Sequence, residues 1–150
     1  GAGLQLALAC DIRISHPECK LSIMEAKWGL VPDMGLTQSG FGVVRADILK
    51  ELAMTARTVN AEEGKELGLV SHCSDTPLEQ AQQLATELAQ RSPDAVLASK
   101  RVINAMFEQS ARTLYIEKVW QLKMMLGRNR KLALRKVKQA STVFGKRQFR

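Results

Sequence analysis

The spacing of apolar residues changes along the chain, and with it the predicted structure. The opening GAGLQLALAC is apolar almost all round, which predicts a short buried helix entered at its glycines. DIRISHPECKLSIM alternates in part and turns at His16-Pro17-Glu18, predicting two short strands. GLVPDMGLTQSG is rich in Gly and Pro and predicts loop or short turns. Beyond it the period becomes helical. ADILKELAMTA places Ile48, Leu49, Leu52 and Ala53 on one stripe. NAEEGKELGLV offers Asn60 as N-cap, Glu63 three residues on and Gly68 as a stop, with a short apolar strand to follow. In TPLEQAQQLATELAQR, Thr76 caps a helix, Pro77 takes its first position and Glu79 closes the capping box. Its stripe is Ala81, Leu84, Ala85 and Leu88. SPDAVLASKRVINAMFEQ repeats the start signal with Ser92 and Pro93. Residues 112–140 predict one or two further helices, with Tyr115, Val119, Leu122 and Leu126 at helical spacing.

Strands first and helices later predict an α/β domain whose second half cannot complete a sheet alone, so partner strands are expected outside this stretch. The start at Gly-Ala-Gly, without Met and directly ahead of an apolar run, carries the same expectation of a longer protein. At 150 residues the chain suits one core, and its 45% hydrophobic and 25% charged residues are ordinary for a globular domain. No apolar run approaches the ~18 residues of a membrane span and no leader pattern is present. Cys10, Cys19 and Cys73 have no CxxC spacing and read as reduced thiols, which fits a cytoplasmic protein. His16 and His72 lack a second ligand at helical spacing, so no metal is expected.

Charge sharpens the division. Residues 121–150 hold ten Lys or Arg and no acid, so the net +7 belongs to the tail and the first 120 residues carry −3. The tail LGRNRKLALRKVKQ reads first as a solvated helix face packed through Leu132, Leu134 and Val137. Nucleic-acid binding is disfavoured, because no base-stacking aromatics are interleaved with the charge.

The candidate chemistry lies early. A Gly-x-Gly turn into a helix exposes backbone N–H groups at the positive end of the helix dipole, where an anion or a developing oxyanion can be held. Glu25 and Asp33 stand eight residues apart in the largely apolar LSIMEAKWGLVPDMGLTQ, and burial would suit either for acid–base work. Together these parts fit proton transfer next to a carbonyl. Met24, Trp28, Leu30 and Met34 read either as lining for an acyl pocket or as ordinary core.

In order, GAGLQLALACDIRIS, SIMEAKWGLVPDMGLTQ, TARTVNAEEGKELGLV, RSPDAVLASK and the closing FGKRQF resemble the enoyl-CoA hydratase/isomerase (crotonase) family. The resemblance implies a spiral of β-β-α units, present here in part over residues 1–75. A helical region of the same domain, 76–150, follows and serves oligomerisation. It implies acyl-CoA thioester substrates, no cofactor beyond the coenzyme A of the substrate, and a homotrimer or homohexamer. One oxyanion donor falls at Gly1-Ala2-Gly3, on the N–H of Ala2. Substrate contacts fall at Ala2, Gly3, Gln5, Met24 and Pro32, and Lys146 is expected near the CoA phosphates. The second oxyanion donor and much of the CoA surface belong to segments outside this sequence.

Family hydratases pair two glutamates. The second matches Glu25; the first matches position 5, which is Gln. An amide can hydrogen-bond water but cannot take its proton near neutral pH. An isomerase needs only one carboxylate to remove a proton at one carbon and return it at another. Dienoyl-CoA isomerases of the family keep an Asp eight residues after the glutamate, as Asp33 is here, although they also usually carry Asp at position 5. The resemblance therefore implies a double-bond isomerase with Glu25 as base and acid and Asp33 as relay. The alternatives are a hydratase with Gln5 positioning the water, and a member impaired in catalysis.

Overall fold

The computed structural model describes residues 1–108, 119 and 122–149. Its contacts divide into two compact units, Gly1–Gln82 and Gln83–Arg150.

In the first unit, helix α1 (Ala2–Leu8) starts at Gly1, whose carbonyl accepts the N–H of Leu4 at 3.0 Å. Strand β1 (Ile14–Ser15) and strand β2 (Lys20–Leu21) follow, separated by the predicted turn, where the Cys19 N–H reaches the His16 carbonyl at 2.9 Å. The two strands do not pair with each other. β1 runs parallel to β4 (His72–Cys73), and β2 runs antiparallel to β3 (Val59–Asn60). A 3-10 turn (Glu25–Trp28), helix α2 (Leu36–Ser39), helix α3 (Ala46–Thr55) and helix α4 (Ala61–Glu66) complete the unit's interior connections.

Leu4, Leu8, Ile23, Val44, Leu52, Val59, Leu69 and Val70 form the core, with Leu21, Leu36, Ile48, Leu49 and Ala53 packed against it. The α3 stripe is thus where its periodicity predicts. α4 is capped as expected: the Asn60 side chain accepts the Glu63 N–H at 2.9 Å, and Gly68 turns the chain away at φ +84°. Three expectations are corrected. α1 buries only one face, Leu4, Gln5 and Leu8, and leaves Leu6 57% exposed, because the core lies on one side of it. Leu69 and Val70 enter the core from the turn after α4, their N–H groups bonded to the Gly64 carbonyl, so the strand begins at His72 instead. Arg13 replaces further ladder bonds there: its guanidinium donates to the carbonyls of Leu69 at 2.8 Å and Cys10 at 2.8 Å.

Helix α5 (Pro77–Ala89) forms over the predicted range, and the third correction concerns its stripe. Leu84 is half-buried, whereas Ala81, Ala85 and Leu88 are exposed.

In the second unit, helix α6 (Pro93–Ala105) begins at Ser92, with Pro in its first turn as predicted, and ends in a 3-10 turn (Met106–Glu108). Residues 122–126 are helical, and helix α7 (Arg128–Lys138) carries the basic sequence. Tyr115 lies outside the described residues. Of the residues expected to pack α7, Leu132 is half-buried and Leu134 is exposed; the Val137 side chain lies outside the described residues. A buried polar cluster holds this unit instead. Asp94, at the start of α6, accepts from the Asn129 side-chain amide at 2.6 Å and from the Gln148 N–H at 2.7 Å. Asn129 accepts the Gly145 N–H at 2.9 Å, and the Gln148 side chain accepts the Arg128 N–H at 2.6 Å.

Candidate active site

The site is assembled by two neighbouring anchors. Leu4 and Leu8 fix α1 in the core, and Ile23, wholly buried, fixes the segment that leads into the 3-10 turn. The Gly1 nitrogen donates to the Ser22 carbonyl, which ties the start of α1 to that segment. Gln5 on α1 and Glu25 at the first position of the turn are thereby brought face to face. Gly29 closes the turn in the left-handed region at φ +69°, with its N–H on the Ala26 carbonyl; the Leu30 N–H returns to the Glu25 carbonyl, both at 3.0 Å. Only glycine adopts this conformation without strain.

Gln5 is wholly buried and satisfied at both ends of its amide. Its Nε2 donates to Glu25 Oε1 at 2.7 Å, and its Oε1 accepts the Met34 N–H at 3.0 Å. The orientation follows from the network: the Met34 N–H can only donate, so the amide oxygen faces it and the NH₂ faces the carboxylate. The other Glu25 oxygen, Oε2, is buried and has no hydrogen-bond partner among the described residues. A buried polar atom left bare in this way is an unusual feature that a substrate group can complete.

Asp33 is exposed, and among the described residues no hydrogen bond joins its carboxylate to Glu25 or Gln5. It is linked to the pair through its neighbour, since Met34 supplies the N–H that Gln5 binds. Pro32 is half-buried, while Ala2 and Gly3 are exposed at the start of α1. The first N–H groups of a helix have no intrahelical acceptor, so those of Ala2 and Gly3 are open to other partners. Met24 packs beside Gly1, where an added Cβ would lie 3.5 Å from Met24 Cγ.

Met24 and Met34 are exposed, Trp28 and Leu30 are 67% and 63% exposed, and none joins the core cluster. Val31 and Phe41 are likewise exposed and were not singled out by the sequence pattern. Sequence reasoning also missed the Met34 N–H, because a backbone donor leaves no trace in residue type.

Lys146 lies in the second unit, exposed, on a basic cleft it lines with Arg128, Asn129, Leu132, Arg147 and Gln148. Among the described residues no group of three metal-ligating side chains occurs, and no helix is long and apolar enough to cross a membrane.

The family model described as enoyl-CoA hydratase/isomerase matches residues 1–140. The chain belongs to the enoyl-CoA hydratase/isomerase family.

Relatives within this family carry different activities in their names. The chain is 35% identical over 114 residues to the mitochondrial methylglutaconyl-CoA hydratase of Mus musculus, a match covering 72% of the chain and 36% of that protein. It is also 35% identical over 107 residues to the mitochondrial Delta(3,5)-Delta(2,4)-dienoyl-CoA isomerase of Dictyostelium discoideum, covering 69% and 36%. The chain thus spans little more than a third of these relatives' length. Among solved structures, an enoyl-CoA hydratase from Bacillus anthracis superposes with a TM-score of 0.85 at 29% identity, covering 93% of the chain and 55% of that structure. One from Polaromonas sp. JS666 gives 0.86 at 25%, covering 97% and 58%. The enoyl-CoA hydratase/isomerase fold of this chain is therefore crotonase-like. Its described residues are rich in helix, with short strands that pair as two separate ladders.

Proposed function

We propose that the chain carries the proton-transfer half of an acyl-CoA double-bond isomerase, with Glu25 as the base and acid. The observation that carries this reading is the Glu25 carboxylate itself: one oxygen rests on an amide where a hydratase would have a second acid, and the other is buried with no hydrogen-bond partner among the described residues. With a 3-enoyl thioester, Glu25 Oε2 takes a proton from the carbon next to the carbonyl. The electron pair moves into the conjugated system and onto the thioester oxygen, forming a dienolate. The Ala2 N–H, open at the helix start, holds that oxygen together with a donor from outside this sequence. Glu25 then delivers a proton two carbons further along the chain, and the double bond comes into conjugation. No atom is gained or lost, so neither water nor a cofactor enters.

The exposed side chains of Met24, Trp28, Leu30 and Met34 supply apolar contact for the acyl chain, and Pro32 stiffens the loop that bears them. Asp33, on the same loop, relays the proton when the substrate is a conjugated dienoyl thioester. In the second unit, Lys146 on its basic cleft serves the CoA phosphates. The exposure of Ala81, Ala85 and Leu88 on α5 is consistent with assembly as a homotrimer or homohexamer. A cytoplasmic setting belongs to this reading as well, although the two relatives above are named as mitochondrial.

Hydration is the second reading, favoured by the hydratase names among the relatives. The reaction product discriminates between the two. The full-length protein, given a 3-enoyl-CoA, is expected to form the 2-enoyl isomer; given a 2-enoyl-CoA, it is expected to form little 3-hydroxyacyl-CoA. Rapid hydration without isomerisation would replace this reading by the second.

A further inference from the structure

We infer that Gln5 is a positioning residue that decides which oxygen of Glu25 reacts and leaves Glu25 the single carboxylate of its pair. This rests on the proton-transfer reading of Glu25 and extends it to a residue that itself transfers no proton.

The two polar ends of Gln5 face groups of opposite kind, the Glu25 carboxylate oxygen at 2.7 Å and the Met34 N–H at 3.0 Å. No other uncharged side chain of this length offers a donor at one branch and an acceptor at the other. Because Gln5 is wholly buried, neither bond is shared with bulk water. Glu25 Oε1 is thereby reserved and cannot also turn toward a substrate without breaking a short bond. Oε2, buried and without a hydrogen-bond partner among the described residues, is the oxygen left to react. The same amide ties the carboxylate to the loop of Pro32, Asp33 and Met34, so base and loop keep a fixed spacing. A misplacement of about 1 Å is enough to cost on the order of 100-fold in rate.

The second consequence is about protons. A glutamate in place of Gln5 could still accept the Met34 N–H with one oxygen. Its other oxygen would then stand against Glu25 Oε1 at a separation that two ionised carboxylates do not tolerate, and the pair would hold a shared proton. With glutamine no such proton is required, and a single carboxylate opens and closes the catalytic cycle.

Three variants of the full-length protein, assayed with a 3-enoyl-CoA across pH, test this. Gln5→Met, close in volume, removes both bonds; kcat is expected to fall about 100-fold, with KM changed by less than about threefold. Gln5→Glu keeps the loop bond and adds the shared proton; the acidic limb of the kcat profile is expected to move up by at least about one pH unit. A kcat loss with KM held is one a merely structural role would not produce, and Gln5→Glu tests the pairing by itself if Gln5→Met fails to fold. A Gln5→Glu profile superimposable on that of the wild type overturns the inference. Glu25→Gln separates the two levels. If it is inactive while the Gln5→Glu profile is unshifted, the base assignment stands and the role of Gln5 falls. Full activity in Glu25→Gln removes the base assignment itself.

Discussion

Asp94 and Asn129, thirty-five residues apart, meet through a 2.6 Å hydrogen bond between two side chains that are each only 1% exposed. Around this bond gather the N–H groups of Gln148 and Phe149, both on the second Asp94 oxygen. A charged group in the interior is tolerable only when it is paired or fully hydrogen-bonded, and Asp94 is. The helical second unit is therefore locked by a carboxylate that binds the closing FGKRQF segment to the start of α6.

Replacing Asp94 by Asn keeps the shape but turns an NH₂ group toward the NH₂ of Asn129. The second unit is expected to lose about 3 kcal/mol, since a buried donor is left unmatched and the charge-assisted bonds are weakened. Urea denaturation followed by a probe in this unit checks the value.

The same carboxylate sets an acid limit. Burial pushes Asp94 up, but the Asn129 amide, the N–H groups of Gln148 and Phe149 and the charge of Arg147 outweigh it and hold it below the usual range. A carboxyl depressed in the folded state stabilises it fully above the unfolded value, about 3.9, and progressively less as pH falls through the folded one. Wild-type stability is thus expected to drop below about pH 4, and Asp94→Asn is expected to lack that part of the drop. Thermal melts of both proteins between neutral and strongly acid pH measure it.

Gly68 ends α4 at φ +84°, and an added Cβ there would lie 3.1 Å from the Val43 carbonyl oxygen. Gly68→Ala is expected to cost about 1–2 kcal/mol from the left-handed conformation, and the close contact adds to this. Asn60→Ala, at the other end of the same helix, is expected to cost about 1 kcal/mol by removing the cap on the Glu63 N–H. Chemical denaturation of the two single variants and the double variant tests both figures.

Asp33 is expected to matter only when the proton must travel further. Asp33→Asn should leave conversion of a 3-enoyl-CoA within about threefold of wild type and reduce that of a 3,5-dienoyl-CoA by about 100-fold, the order of a general acid–base contribution. Equal losses on both substrates would assign Asp33 to the loop's structure rather than to proton relay.

The capped helices were legible because their signals are local: Asn60, Pro77, Gly68 and the α3 stripe each act within one or two turns. Glu25 and Gln5 were singled out by the order of the motifs around them, and the structure joins the two by a hydrogen bond. The partner of Gln5 was not, because a Met34 backbone donor brought near by folding is invisible in residue type. Nor were the pairings of β1 with β4 and β2 with β3, where strands of two residues carry too little pattern to specify a neighbour. The cluster of Asp94, Asn129 and Gln148 escaped for the same reason, since polar residues far apart in sequence read as surface until the chain closes around them. The exposed apolar faces of α1 and α5 mark the reverse case: periodicity tells which side is apolar, not whether anything covers it.

With a 3-enoyl-CoA, Glu25 alone is expected to move the proton. Glu25→Gln in the full-length protein keeps the side chain's size, so acyl-CoA binding measured by calorimetry should remain within about threefold. Loss of a required acid–base group is worth about 100- to 10,000-fold, and isomerisation of a 3-enoyl-CoA should fall by that much. Deuterium incorporation from D₂O at the carbon next to the carbonyl should fall with it. Binding is expected to be retained with turnover and exchange both abolished. Turnover and exchange at wild-type rates would contradict this role of Glu25.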